Sequence, residues 1–319
     1  MLKSFSLDIN KKLRSAIEMT AENRYDLIPA VFSPMSPDGE INLSAIESYA
    51  EYLDKNGMSK VFINGSTGES LSLTVDERKR IAEVWSRAAS SKMKIIVHVG
   101  HNCLPVAKEL ARHTQKLNAN YISAMAPNFF KPANIDHLID FLKEIAAEAP
   151  DIPFYFYYMP AMSNQYLDML EFVEKAQDRI PTFAGVKYTY ENLLEYRNCI
   201  VHWGNKLDFL YGRDELLIHG LIAGANGSIG SNYNFIGPLY LKLVKAFRSG
   251  DMEQARLLAD KTAALAGIVL SYGLLPVGKV YMKKLGVNCG NVRSPLQPIS
   301  KNKFREFLNA VAELELDKL

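Results

Sequence analysis

Between residues 27 and 230 the chain alternates eight short apolar runs with segments of helical period, and few folds accommodate that pattern. The runs fall at 27–32, 60–64, 94–99, 121–124, 154–158, 184–188, 208–211 and 227–230. They are nearly continuous in apolar residues rather than alternating, which is what a parallel sheet buried on both faces requires. A helix between successive strands is the connection that parallel pairing needs. Eight such units favour a closed (β/α)8 barrel over an open doubly wound sheet. The open sheet would usually carry a GxGxxG turn after its first strand, and none follows Phe32.

Local signals support the helices. Asn42 is placed to cap a first helix whose apolar positions Ile46, Tyr49, Ala50 and Leu53 share one face, with Gly57 as its stop. Thr74-Val75-Asp76-Glu77 reads as a capping box for the second helix, with Ile81, Val84, Trp85 and Ala88 on one stripe. Further helical segments are expected at 104–117, 135–147, 166–176, 191–200 and 215–223. After the eighth run the strands stop, and 235–248, 252–270, 277–285 and 303–314 have helical period alone. The expected layout is an N-terminal extension over 1–25, barrel strands and helices over 26–234, and the last barrel helix with a C-terminal helical appendage over 235–319.

Composition narrows the function. With 37 Lys and Arg against 35 Asp and Glu, the chain lacks the charge excess that nucleic acid or an anionic membrane would call for, so a small metabolite is the default partner. Cys103, Cys199 and Cys289 are odd in number and form no CxxC pair, and the six histidines form no HxxxH or HExxH pattern. Reduced thiols in the cytoplasm fit better than a disulfide framework, and no metal site is expected. No apolar run approaches the roughly 18 to 20 residues that span a bilayer. Residues 1–24 carry Lys3, Lys11, Lys12 and Arg14 without the apolar core of a secretory signal.

In a barrel of this kind the working residues sit at the C-terminal ends of strands and in the loops beyond. That rule collects Ser66 and Thr67 after the second strand, Tyr157 and Tyr158 on the fifth, and Lys187 and Thr189 on the sixth. It adds Gly212, Asp214 and Glu215 after the seventh and Ser231 after the eighth. Lys187 stands where the apolar pattern expects Val or Ile. Burial would neutralise its amine, and a neutral amine can form a Schiff base with a ketone; the alternative is a lysine that snorkels to solvent. Gly65-Ser66-Thr67-Gly68 offers hydroxyls and N–H groups for a carboxylate or phosphate, or is an ordinary βα turn, and no P-loop lysine follows it. Tyr157 shares a strand face with Tyr155, either as core or as a proton-passing phenol. Asp214 and Glu215 either favour a helix N-terminus or accept hydrogen bonds from sugar hydroxyls.

Three of these stretches, Gly65-Ser66-Thr67-Gly68-Glu69, Tyr157-Tyr158-Met159-Pro160-Ala161 and Gly185-Val186-Lys187, resemble in order and spacing the pyruvate-dependent class I aldolase family, which holds both sialate lyases and dihydrodipicolinate synthases. The likeness runs from about residue 27 to 315 and is nearest the sialate-cleaving branch. It implies that Lys187 forms a Schiff base with the 2-keto carbon, that Tyr157 shuttles a proton, and that Ser66 and Thr67 bind the substrate carboxylate. It further implies that Thr189, Gly212, Asp214, Glu215 and Ser231 hold the polyhydroxylated end of a sugar acid. The implied reaction is reversible cleavage of N-acetylneuraminate (sialic acid) to N-acetylmannosamine and pyruvate, with no cofactor, in a homotetramer. The synthase resemblance would call for an Arg soon after Pro160, where this chain has Ala161-Met162-Ser163. A second departure is Ala126-Pro127-Asn128-Phe129-Phe130, where many relatives have a tyrosine pair whose hydroxyl reaches a neighbouring subunit. Other readings are another 2-keto-sugar-acid aldolase, a synthase-like enzyme, or a silent barrel that binds a keto acid. No role is assigned to Tyr188.

Overall fold

The computed structural model describes residues 25–89, 93–117 and 119–316. Eight parallel strands, β1 (Asp26–Pro29), β2 (Lys60–Ile63), β3 (Lys94–His98), β4 (Tyr121–Met125), β5 (Phe154–Tyr158), β6 (Phe183–Tyr188), β7 (Asp208–Tyr211) and β8 (Gly227–Gly230), pair in the order β1-β8-β7-β6-β5-β4-β3-β2. A parallel bridge from Ala30 to Phe62, with the Val31 N–H donating to the Phe62 carbonyl at 3.0 Å, closes the ring between β1 and β2. The chain is a (β/α)8 barrel. The expected extension over 1–25 lies outside the described residues except for Tyr25, which is buried.

Helices follow the strands: α1 (Ala45–Lys55), α2 (Val75–Ala88), α3 (Leu104–Gln115), α4 (Ile135–Ala146), α5 (Met169–Arg179), α6 (Leu193–Trp203), α7 (Leu217–Ala223) and α8 (Tyr233–Arg248). Three more, α9 (Met252–Ser271), α10 (Leu274–Lys284) and α11 (Lys301–Ala312), come after the barrel. On α1, Ile46, Tyr49, Ala50 and Leu53 all face inward. Burying a side chain the size of Ile46 or Leu53 contributes about 1.5–3 kcal/mol, so an apolar stripe at 3.6-residue spacing is what fastens the helix to the barrel. The capping box of α2 forms as read, with Thr74 and Glu77 bonding each other's backbone N–H groups.

Several ends differ from expectation. Helix α1 begins after Ser44, and Asn42 instead accepts from the Ser44 hydroxyl at 2.7 Å. Helix α5 starts three residues beyond Tyr166 because Asp168 takes the N–H groups of Leu170 and Glu171. Helix α10 starts before Pro276 rather than after it; a first-turn N–H has no partner within the helix, so proline is tolerated there.

Two apolar clusters divide the interior. The larger lies between strands and helices. The smaller, Ile28, Ala30, Phe62, Ile96, Tyr155, Tyr157, Leu210 and Ile229, fills the barrel axis. Beneath it, at the strand N-termini, Tyr155 donates to Asp208 at 2.6 Å and Lys60 pairs with Asp26 at 2.6 Å, making a polar floor. Among the described residues no single helix is long and apolar enough to cross a membrane.

Candidate active site

Strands β5 and β6 set the centre of the site, because their register places Lys187 beside Tyr157. Simple alternation along β6 would not do so. Phe183 belongs to the outer cluster, and counting by twos from it sends Lys187 outward to the helices. A register shift between Phe154 and Tyr155 inserts one extra residue opposite them, so Val186 joins the outer cluster and Lys187 turns to the axis. Gly185 makes the bulge possible: its φ is +146°, and a Cβ there would lie 1.9 Å from the Asp208 carbonyl oxygen.

The Lys187 amine is buried, with Nζ 3.8 Å from the ring centre of Tyr157 and 4.1 Å from that of Phe62. Desolvation lowers its pKa to about 7, against the opposing pull of the Asp214 charge. A fraction of the amine is therefore uncharged near neutrality and able to attack a carbonyl. Tyr157 is pushed the other way. Burial raises its phenol to about 12 even though the hydroxyls of Ser66 and Thr189 pull it down, so the phenol is neutral at rest.

The turn after β2 brings hydroxyls to the same centre. Ser66 Oγ lies 3.1 Å from the Tyr157 hydroxyl, and Thr67 Oγ1 lies 2.7 Å from Ser231 Oγ, joining the loops after β2 and β8. On the far side, β7 leads into Gly212. Its N–H donates to the Tyr188 carbonyl at 2.7 Å, and a Cβ would stand 1.9 Å from Thr189 Oγ1, so any larger residue would displace that hydroxyl. Asp214 is buried and accepts from the backbone N–H of Asn232 at 2.7 Å and from its side-chain amide at 3.0 Å. Burial and then the neighbouring Glu215 charge raise Asp214 to about 7. Glu215 accepts from Arg213 Nε at 2.7 Å. These two acids face the cavity, and Asp214 is held by Asn232 rather than by the N-terminus of α7.

Lys187, Tyr157, Ser66, Thr67, Thr189, Gly212, Asp214, Glu215 and Ser231 all line one cavity of about 510 Å³. Its outer wall comes from Leu270 on α9 and Leu274 and Leu275 on α10, so the helices after the barrel shape its mouth. Met159, Arg213 and Asn232 also line the cavity and Phe62 lies against the Lys187 amine, four residues that the sequence had not singled out for the site. Arg213 and Asn232 sit directly beside residues already singled out, and that adjacency was the available signal. Tyr188 lies on the outer face, donating to Glu195 at 2.8 Å and to the Asn192 carbonyl at 3.0 Å. Phe129 and Phe130 are 75% and 85% exposed. Among the described residues no group of three His, Cys, Asp or Glu side chains could hold a metal ion.

A profile of the dihydrodipicolinate synthetase family matches residues 23–314. The chain is 40% identical over 299 residues to the N-acetylneuraminate lyase of Gallus gallus, covering 91% of this chain and 94% of that protein. It is 41% identical over 239 residues to N-acetylneuraminate lyase B of Xenopus laevis, covering 74% and 90%. Among solved structures it is similar to the Proteus mirabilis N-acetylneuraminate lyase, with a TM-score of 0.88, 33% identity and coverage of 92% and 99%. It is also similar to the sialic acid aldolase of Aliivibrio salmonicida, with a TM-score of 0.88, 32% identity and coverage of 92% and 97%.

Proposed function

The chain belongs to the dihydrodipicolinate synthetase family, and from that premise we propose that it is a class I aldolase cleaving N-acetylneuraminate reversibly to N-acetylmannosamine and pyruvate. The observation that carries this reading is the Lys187 amine, buried and brought to about pKa 7 against the ring of Tyr157 inside a polar cavity. The absence of an arginine after Pro160 supports it over a synthase, since Ala161-Met162-Ser163 offers nothing to pair a second carboxylate.

In the reaction the substrate carboxylate docks at Ser66 and Thr67. The neutral Lys187 amine adds to C2 of the open-chain keto acid, and loss of water with uptake of one proton from solvent leaves an iminium. Tyr157 is neutral, so it acts as a relay: it accepts the 4-hydroxyl proton while passing its own to the substrate carboxylate beside Ser66. The C3–C4 bonding pair moves into the iminium, giving an enamine and releasing N-acetylmannosamine as its aldehyde. The relayed proton then reaches C3, and water hydrolyses the resulting iminium to pyruvate and the free Lys187 amine, returning one proton to solvent. Thr189, Asp214, Glu215 and Ser231 hold the sugar hydroxyls, and Gly212 leaves room for Thr189.

Pyruvate with borohydride is expected to leave a reduced adduct on Lys187 by mass spectrometry. Lys187→Ala should abolish both trapping and turnover; retained turnover would end the proposal. Tyr157→Phe should cut turnover by about 10²–10⁴-fold while weakening trapping far less, and equal losses would make Tyr157 a structural residue.

The same reading extends to assembly and location. We place the protein in the cytoplasm, where its three free thiols stay reduced, and infer a homotetramer, for which the exposed Phe129 and Phe130 are candidate contacts. The proposed division is a barrel over 26–234 with the last barrel helix and the appendage over 235–319.

A further inference from the structure

The cavity is lined by a cation, Arg213, to which the aldol mechanism assigns no part. Lys187 and Arg213 are the cations among its lining residues. Lys187 must be neutral to react, which leaves the planar, forked guanidinium of Arg213 to hold the carboxylates there. Its side chain is 27% exposed and forks between two carboxylates. Nε donates to Glu215 Oε1 at 2.7 Å, and Nη1 pairs with Glu191. Glu191 belongs to the loop after β6, two residues beyond Thr189, whereas Glu215 follows β7. One guanidinium thus ties together the two loops that flank the sugar end of the cavity.

That end needs such a tie. Asp214 and Glu215 are consecutive on a single 3-10 turn, both line the cavity, and Asp214 is buried beside the Glu215 charge. The two carboxyl groups interact directly, and burial together with the Glu215 charge raises Asp214, so where the pair presents its acceptors to sugar hydroxyls depends on what holds each member in place. Asn232 fixes Asp214 through two hydrogen bonds. Arg213 supplies the corresponding hold on Glu215.

We propose that Arg213, anchored by Glu191, is a positioning and specificity-determining residue for the sugar half of the substrate, holding the Glu215 carboxylate where it accepts from hydroxyls beyond the bond that breaks. This rests on the aldolase reading given above. The arrangement acts on the part of the substrate that leaves as the aldose. Pyruvate, which occupies only the Lys187 and Ser66 end, is outside its reach.

The test separates the two ends. Arg213→Met should raise KM for N-acetylneuraminate about tenfold, the size expected for losing a hydrogen-bonded acceptor, with kcat within about twofold and borohydride trapping of pyruvate unchanged. Arg213→Lys keeps the charge without the fork and should recover only part of the rise. Glu191→Gln, a change at a half-exposed anchor, should raise KM in the same direction by a smaller factor. An Arg213→Met enzyme whose KM stays within twofold of the parent overturns the proposal. So does one that loses pyruvate trapping in parallel, because the lesion would then be general. Failure of the unaltered protein to release pyruvate from N-acetylneuraminate overturns the aldolase reading and this role with it, and it would be seen before any variant is made.

Discussion

Lys187 combines a chemical asset with a folding cost, and both have a sign that can be measured. The amine titrates near 7 in the folded chain against 10.5 for an ordinary lysine. Activity therefore requires loss of the proton, and kcat/KM is expected to rise with pH through about 7 before levelling. Stability responds over a wider window. Between about 7 and 10.5 the unfolded chain binds a proton that the folded chain does not, so burial of Lys187 makes stability increase with pH there. Below about 7 the folded state carries a buried cation and the full penalty. Lys187→Met should accordingly raise the melting temperature while abolishing turnover, with a larger gain at pH 6 than at pH 9. A variant that melts lower at pH 6 would mean that contacts of the amine outweigh its desolvation. This opposition between stability and activity is expected wherever a reactive group is held in a strained or dry setting.

At the scale of elements, the turn that presents Ser66 and Thr67 is fastened to the helices after the barrel. Glu69 has φ +54° and ends that turn with its carboxylate buried; Lys279 on α10 pairs with it at 2.5 Å, both side chains being fully enclosed. Lys279 also donates to the Asn291 carbonyl at 2.8 Å, and Glu69 accepts from the Arg293 N–H at 2.9 Å. The Arg293 guanidinium in turn reaches Gly39, Ser72 and Glu77. Removing one member of a buried pair strands the other charge. Lys279→Met should destabilise by about 3–5 kcal/mol in urea unfolding, and adding Glu69→Gln should recover part of that loss. Strictly additive losses in the double variant would show that the two residues do not depend on each other.

At the scale of the whole molecule, ring closure converts eight separate loops into one rim, and the helices beyond residue 250 lean over it. Leu270, Leu274 and Leu275 enclose the cavity from outside the barrel, so truncating the chain after α8 would open the site as well as expose α8. The proposed tetramer belongs to this scale too. Light scattering on the purified protein should give four times the 35.8 kDa chain mass, and Phe130→Asp should lower it if that ring is a subunit contact. A monomeric parent would remove the assembly without touching the chemistry, because all nine candidate residues of the site lie on one chain.

The sequence alone determined the barrel and most of the rim. Strands buried on both faces must be apolar throughout, helices between them must be amphipathic, and those two periods are local properties that a reader of residues can count. Capping signals were legible where side chain and backbone N–H are neighbours in the chain, as at Thr74 and Glu77, and misread at Asn42, where the competing Ser44 was as close. Tertiary structure decided the direction of Lys187. That direction depends on one extra residue in β6 relative to β5, a relation between strands that the composition of neither strand records. The partners of Asp214 and Glu69 were likewise beyond the sequence, since each is met by a residue on a distant element. A side-chain hydrogen bond between distant elements leaves no period in the sequence, and only the tertiary fold brings its two ends together.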